Sequence, residues 1–62
     1  MNYKAIFPLT TDMSSIWYVV GDNVMKSKEE EALWWYNRSR DKDGLPPLNN
    51  LPTGVKFEAI YS

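Results

Sequence analysis

The stretch from Ser27 to Arg40, which reads S-K-E-E-E-A-L-W-W-Y-N-R-S-R, carries the strongest helix signal of the 62-residue chain. Ser27 and Glu30 have the spacing of a capping box, in which a serine oxygen accepts a hydrogen bond from the third helical amide. Glutamates at the start and basic residues at the end complement the helix dipole. Gly44 suits a helix terminus because glycine adopts positive φ at little cost. The sequence therefore predicts one α-helix, against which the other elements must pack.

The two faces of this helix differ in composition. At about 100° per residue, small and aromatic residues fall on one side, which we expect to face the core. They are Ala32, Trp35, Tyr36 and Ser39, with Leu33 at the margin. Trp34 points nearly the opposite way, among Glu30, Glu31, Asn37 and Arg38.

A tryptophan on a charged face has two interpretations, and the sequence leaves both open. In the first, the proline-rich segment Leu45–Leu51 folds over Trp34 and completes the core. In the second, Trp34 is an exposed anchor for a partner, together with Arg38 and the neighbouring Glu30 and Glu31, because Trp and Arg are enriched in binding hot spots. In either case the leucines of the segment make it too apolar for a free linker, so we expect it to dock on the body.

Strand signals surround the helix. Alternation predicts strands over Asn2–Leu9 and Val55–Tyr61, and Pro8 is expected to end the first of them. Ser15–Val20 is rich in β-formers on both faces, which indicates either a central strand covered on both sides or a strand with one exposed apolar face. Val24–Lys26, after a turn at Gly21-Asp22-Asn23, is compatible with a short third strand that forms a hairpin.

This order of elements predicts a single compact α+β domain over residues 1–62. One helix packs on one face of a three- or four-stranded, mostly antiparallel sheet in the order ββ(β)αβ. Ala32, Trp35 and Tyr36 are expected to pack on the last strand and on alternate residues of the first two strands. The residues of the last strand in this contact are Val55, Phe57, Ala59 and Tyr61.

The face of the sheet away from the helix is expected to be open. If Ile16, Tyr18 and Val20 point inward, Trp17 faces out beside Ile6 and Ile60, together with Val19. An exposed patch of this type often marks an interface. A solvated sheet face with a few apolar residues is the ordinary alternative, and the sequence does not distinguish the two.

Composition excludes several chemistries. The chain has neither histidine nor cysteine, so the commonest general base, thiolate nucleophiles and the usual zinc ligands are missing. The fragment Asp41-Lys42-Asp43-Gly44 lacks the downstream glutamate of a calcium loop and is expected to be a polar turn. We therefore expect no catalytic residue, no metal and no cofactor. No apolar run is long enough to span a membrane, and no signal-peptide pattern is present, so a cytoplasmic location is expected.

Binding of single-stranded nucleic acid is an alternative, because aromatic residues on a small sheet can stack on bases. The candidate aromatics are Tyr3, Phe7, Trp17, Tyr18 and Phe57. The net charge of −1 argues against this class, since nucleic-acid binding needs a basic surface.

Two segments resemble a family of very small bacteriophage proteins that bind and inhibit a host enzyme, such as the early phage inhibitor of bacterial RNA polymerase. They are E-A-L-W-W-Y at Glu31–Tyr36 and L-P-T-G-V-K-F-E at Leu51–Glu58. The chain departs from the family in a longer connection over Asp41–Asn50, and no functional residue is carried over. The resemblance implies a compact, monofunctional protein that binds and blocks a larger host protein, either an enzyme or a defence complex. The sequence leaves open whether the chain is a monomer or a homodimer. A structural homo-oligomer or virion contact is a further alternative.

Overall fold

The computed structural model describes residues 1–60, which form a small α+β fold. The elements in chain order are β1 (Asn2–Phe7), β2 (Ile16–Gly21), α1 (Lys28–Lys42) and β3 (Lys56–Ile60). The strands form one three-stranded antiparallel sheet in the order β2-β1-β3. One helix packs on one face of this sheet, so the predicted fold class is confirmed.

Both ends of α1 are determined by local sequence. Ser27 is the N-cap, and its hydroxyl oxygen accepts a hydrogen bond from the Glu30 amide at 3.2 Å. At the other end Gly44 has a φ of 75° and donates its N–H to the carbonyl of Asp41, while Leu45 donates to Arg40. These two bonds make a Schellman motif, which satisfies carbonyl groups that the last helical turn leaves free. The cap and terminator that the sequence predicts are confirmed.

The core lies between α1 and the two strands β1 and β2. Tyr36 stacks on Phe7 with ring centroids 4.0 Å apart, and the edge of Tyr18 meets Phe7 at 5.7 Å. Trp35 lies over Tyr18, whose hydroxyl is 2.6 Å from the hydroxyl of Ser39. Smaller apolar residues fill the remaining core positions: Ala5, Met13, Val20 and Ala32. Large aromatic rings thus form the centre of the core in a chain too short for a deep one.

The helix covers β3 less than expected. Its main contact with the sheet is on β2, and Tyr36 reaches the central strand β1. Phe57 still packs against the core, but Ala59 is exposed, so the predicted packing of the helix on Ala59 is wrong. The physical reason is that β3 pairs on the far side of β1 from β2. The predicted contact of Tyr61 lies outside the described residues.

Two polar side chains of α1 attach the proline-rich segment to the body. The Asn37 side chain donates to the Leu48 carbonyl at 3.0 Å and accepts from the Leu48 amide at 2.8 Å. Arg40, only 4 % exposed, donates through Nε to the Pro46 carbonyl and through Nη1 to the Asp12 carboxylate. Leu45, Leu48 and Leu51 pack against the core, as expected from their apolar character.

The structure decides two strand assignments that the sequence leaves open. Val24–Lys26 forms a turn and not a strand, because the Asn23 side chain accepts hydrogen bonds from the amides of Met25 and Lys26. Such a turn competes with strand pairing. Ser15–Val20 corresponds to β2, which lies at an edge of the sheet and not at its centre. Of the two interpretations of its apolar faces, the exposed apolar face is the one observed.

Candidate protein-binding surfaces

The open face of the sheet is arranged in three rows that follow from the strand register. Residues directly opposite one another on neighbouring strands share a face. Read from β2 across β1 to β3, the rows are Trp17–Ile6–Lys56, Val19–Lys4–Glu58 and Gly21–Asn2–Ile60. Three apolar residues, Trp17, Val19 and Ile6, therefore adjoin one another on β2 and β1, whereas Lys56 and Glu58 lie on β3.

Trp17, Val19 and Ile6 form a contiguous apolar patch, here called the Trp17 patch. Trp17 is 55 % exposed and Val19 is 51 % exposed, while Ile6 is partly buried between them and β3. The Lys4 ammonium lies 4.6 Å from the centroid of the Trp17 ring, so its aliphatic stem extends the patch. Ile60 lies in the opposite corner of the face, and the prediction that it adjoins Trp17 is wrong because β1 separates the two strands.

The free edge of β2 continues the Trp17 patch into the backbone. The Gly21 amide donates to the Glu31 carboxylate at 3.1 Å and so points away from β1. Because backbone groups alternate in direction along an antiparallel strand, the amides and carbonyls of Trp17 and Val19 point the same way, toward the free edge. The sequence of β2 carries neither lysine nor proline, the residues that commonly protect an edge. The other edge strand, β3, carries Lys56 and Glu58.

Trp34 forms a second exposed aromatic site on the outer face of α1. It is 48 % exposed, although the leucines of Leu45–Leu51 pack on the core, so the interpretation in which this segment buries Trp34 is wrong. Its ring meets Trp35 edge-on at 4.8 Å. The Lys26 ammonium and the Arg38 guanidinium lie 5.4 and 5.6 Å from its ring centroid. Trp34 is therefore an indole held between two cations, as its position on the charged face predicts.

The glutamates predicted beside Trp34 have different environments. Glu30 is exposed and lies one helical turn before Trp34. Glu31 is partly buried and engaged by the Gly21 amide, so it joins the helix to the sheet. The angular position of Glu31 on the helix does not reveal this role, because the bond depends on where β2 ends.

Sequence reasoning missed the two most exposed apolar residues of the turn before α1. Val24 is fully exposed and Met25 nearly so. They lie in the turn that Asn23 closes and directly precede Lys26, which contacts Trp34. The position of Asn23 two residues before Met25 was the available signal, because asparagine commonly bonds to the backbone two residues further on.

The aromatic residues proposed for base stacking do not lie together on the open face. Tyr3, Phe7, Tyr18 and Phe57 all contact the core or α1. Among the described strand residues, Trp17 is the one aromatic residue on the open face. The Lys28 ammonium covers the rings of Tyr3 and Phe57, at 5.1 and 5.5 Å from their centroids.

In each of two ion pairs, the pKa of one member is shifted. A hydrogen bond from Lys28 to the Glu29 carboxylate at 3.1 Å raises the pKa of Lys28. The Thr10 hydroxyl and then the Arg40 guanidinium donate to Asp12 and lower the pKa of its carboxyl. Both pairs stabilise loop or helix-end conformations and lie away from the Trp17 patch.

A shallow groove of about 300 Å³ opens where β2 begins and α1 ends. Its lining comprises Met13, Ser14, Ser15, Ile16, Ser39, Lys42 and Asp43. Asp43 is the C-cap of α1, so the Asp41–Gly44 fragment belongs to a helix end. Within the described part of the chain, no group of three or more potential His, Cys, Asp or Glu metal ligands occurs.

The remaining findings concern membranes and relatives. Within residues 1–60, the one helix has neither the length nor the apolar character needed to cross a bilayer. No protein-family model, curated protein or solved structure matches the chain.

Proposed function

We propose that this protein is a non-enzymatic binding module that attaches to a larger protein through the Trp17 patch and blocks or redirects it. The observation that carries the proposal is the half-exposed Trp17 beside Val19 and Ile6 on an uncovered sheet face. Large aromatic side chains contribute strongly to binding because they remove much apolar surface from water at a low cost in side-chain entropy.

A protein partner explains this surface better than a nucleic acid does. Stacking on successive bases needs several exposed rings along a positively charged groove. Among residues 1–60, the open face has one exposed ring, and the cations Lys4 and Lys56 share that face with Glu58. An aromatic centre with a mixed polar rim is the usual composition of a protein interface.

The resemblance of Glu31–Tyr36 and Leu51–Glu58 to small phage inhibitors supplies the class of partner. In this proposal the target is a host enzyme or a host defence complex, and the protein acts in the host cytoplasm. Trp34, with Arg38 and Glu30, provides a second contact to the same target or to a neighbouring subunit.

The experiment has two steps. Tagged protein is used as bait in a bacterial lysate, retained proteins are identified by mass spectrometry, and the candidate is then purified and titrated calorimetrically. We expect Trp17→Ser to weaken that binding by about 2 kcal/mol or more, which is roughly 30-fold, because a central aromatic anchor is lost.

The matched control is Leu9→Ser, which removes another strongly exposed apolar residue outside both surfaces. It is expected to bind the purified target like the unaltered protein. Equal binding by Trp17→Ser would refute the role of the Trp17 patch. If only Trp34→Ala weakens binding, the contact lies on the helix instead.

A further inference from the structure

We propose that the free edge of β2 pairs with β2 of a second copy of this chain, which joins two three-stranded sheets into one continuous sheet. This inference concerns association between copies and does not depend on the identity of any target. It rests on three features: the unpaired edge, the self-complementary spacing of its backbone groups, and the distribution of charge along α1.

The first feature is the unpaired edge itself. Trp17 and Val19 direct their amides and carbonyls outward, while the outward amide of Gly21 is already bonded to Glu31. An apolar edge strand without lysine or proline is a ready template for another strand. The β3 edge differs, because Lys56 and Glu58 alternate along it.

The second feature is spacing. Two antiparallel copies of β2 related by a twofold axis at Tyr18 place Trp17 of one copy opposite Val19 of the other. Each such pair exchanges both of its backbone hydrogen bonds, so the free groups of both residues are satisfied together. On the open face, each Trp17 ring then contacts a Val19 side chain, an aromatic–β-branched combination that stabilises cross-strand pairs.

The third feature is charge. Helix α1 runs antiparallel to β2, because Glu31 contacts Gly21 at one end and Lys42 shares the groove with Ile16 at the other. A twofold axis at Tyr18 therefore places Glu31 of one copy toward Lys42 of the other, and their helix dipoles point in opposite directions. Among residues 1–60, Lys42 forms no ion pair. Asp43 lies next to it in the groove.

The pairing also enlarges the binding surface. A three-stranded sheet with strands of five or six residues measures roughly 20 by 14 Å, so its area is well below the roughly 800 Å² per partner of a standard interface. Joining two copies at β2 brings both Trp17 patches together across the axis. The small buried area predicts a weak dimer, with a dissociation constant on the order of micromolar.

The test is sedimentation equilibrium of the whole chain from about 5 μM to about 1 mM, a range chosen to bracket micromolar association. The apparent mass is expected to rise from one chain toward two. Val19→Pro removes an outward amide and should keep the protein monomeric throughout. Ala59→Pro is the matched control, because it removes an outward amide from the opposite edge strand β3, and it should leave association unchanged.

Three further measurements make the inference refutable even if Val19→Pro does not fold. Val19→Lys places a charge on the edge at a half-exposed position and is likewise expected to be monomeric. Lys42→Glu should weaken association at least 10-fold, because it places a like charge toward Glu31 of the other copy. Hydrogen exchange at the Trp17 and Val19 amides should slow with concentration, while exchange at Phe57 and Ala59 should not.

The inference is overturned if the unaltered chain stays monomeric at about 1 mM, well above the expected micromolar constant. It is also overturned if a folded Val19→Pro or Val19→Lys variant still associates like the unaltered chain. If Lys42→Glu associates as strongly as the unaltered chain, the antiparallel arrangement of two copies is excluded.

Discussion

The two faces of the sheet are built from alternate residues of the same three strands, yet they differ in every property that determines stability or binding. On the covered face Phe7 and Tyr36 are stacked and almost inaccessible to water. On the open face Trp17 and Val19 keep about half of their surface exposed. The covered face therefore provides the free energy of folding, whereas the open face has apolar surface still available for a partner.

Polar groups follow the same division. On the covered side, Asn37, Ser39 and Arg40 all bond to loop or strand groups. Among residues 1–60, no buried side-chain nitrogen or oxygen lacks a hydrogen-bond partner. On the open side, Lys4 lies over Trp17 and Lys56 forms no ion pair with another described residue. Substitutions on the covered side should therefore change the free energy of unfolding, whereas substitutions on the open side should change binding.

The largest effect is expected from Tyr36→Ala, which removes the ring stacked on Phe7. Loss of a buried aromatic side chain typically costs about 3–5 kcal/mol, which approaches the whole stability of a chain of this length. Urea denaturation followed by far-UV circular dichroism should show an unfolded or barely folded protein. Tyr36→Phe keeps the stack and should lower the free energy of unfolding by less than about 1 kcal/mol. A cooperative transition at the original midpoint for Tyr36→Ala would show that the aromatic stack is not the centre of the core.

A smaller loss of stability is expected from Arg40→Met, which keeps an apolar stem but removes the guanidinium. The Pro46 carbonyl and the Asp12 carboxylate then lose their shared donor. Because both lost hydrogen bonds come from a charged group, we expect the free energy of unfolding to decrease by about 2–3 kcal/mol. Arg38→Met removes an exposed cation from the same helix and should change this free energy by no more than about 0.5 kcal/mol. Equal effects of the two variants would contradict the structural role of Arg40.

Trp17→Lys tests the opposite face, where stability and binding should separate. The substitution places a charge on a half-exposed edge position, so the free energy of unfolding should change by less than about 1 kcal/mol. Binding to a purified target through the Trp17 patch should be lost in the same calorimetric titration. A thermal midpoint that falls as far as that of Arg40→Met would show that Trp17 belongs to the core.

The smallest effect is expected from pH. Hydrogen bonds from Thr10 and then Arg40 hold the folded-state pKa of Asp12 below its ordinary value of 3.8. The unfolded chain therefore binds this proton more readily, so the contribution of Asp12 to stability is present above 3.8 and is lost as the pH falls through the lower folded-state pKa. Asp12→Asn should flatten the dependence of the urea midpoint on pH between about 5 and 2. An unchanged slope in that variant would assign the acid sensitivity to other carboxylates.

Some features were predictable because their causes are local. The cap at Ser27, the terminator at Gly44 and the outward direction of Trp34 depend on residues within a few positions of each other and on the helical repeat. Alternation along β2 likewise predicts that Trp17 and Val19 share one face, and the strand register confirms it.

Only the tertiary structure decided which strand lies at the edge, because pairing joins segments distant in the chain and a period of two is the same in central and edge strands. It placed Ile60 across the sheet from Trp17 and left Ala59 outside the helix contact. It also buried Arg40, a residue whose charge alone predicts exposure, since the loop at Asp12 and the carbonyl of Pro46 converge on its guanidinium. The sequence by itself determined where the helix begins and ends and which side chains share a face. The packing of distant segments decided which of those faces remains open, because a face is buried only where another segment of the chain packs on it.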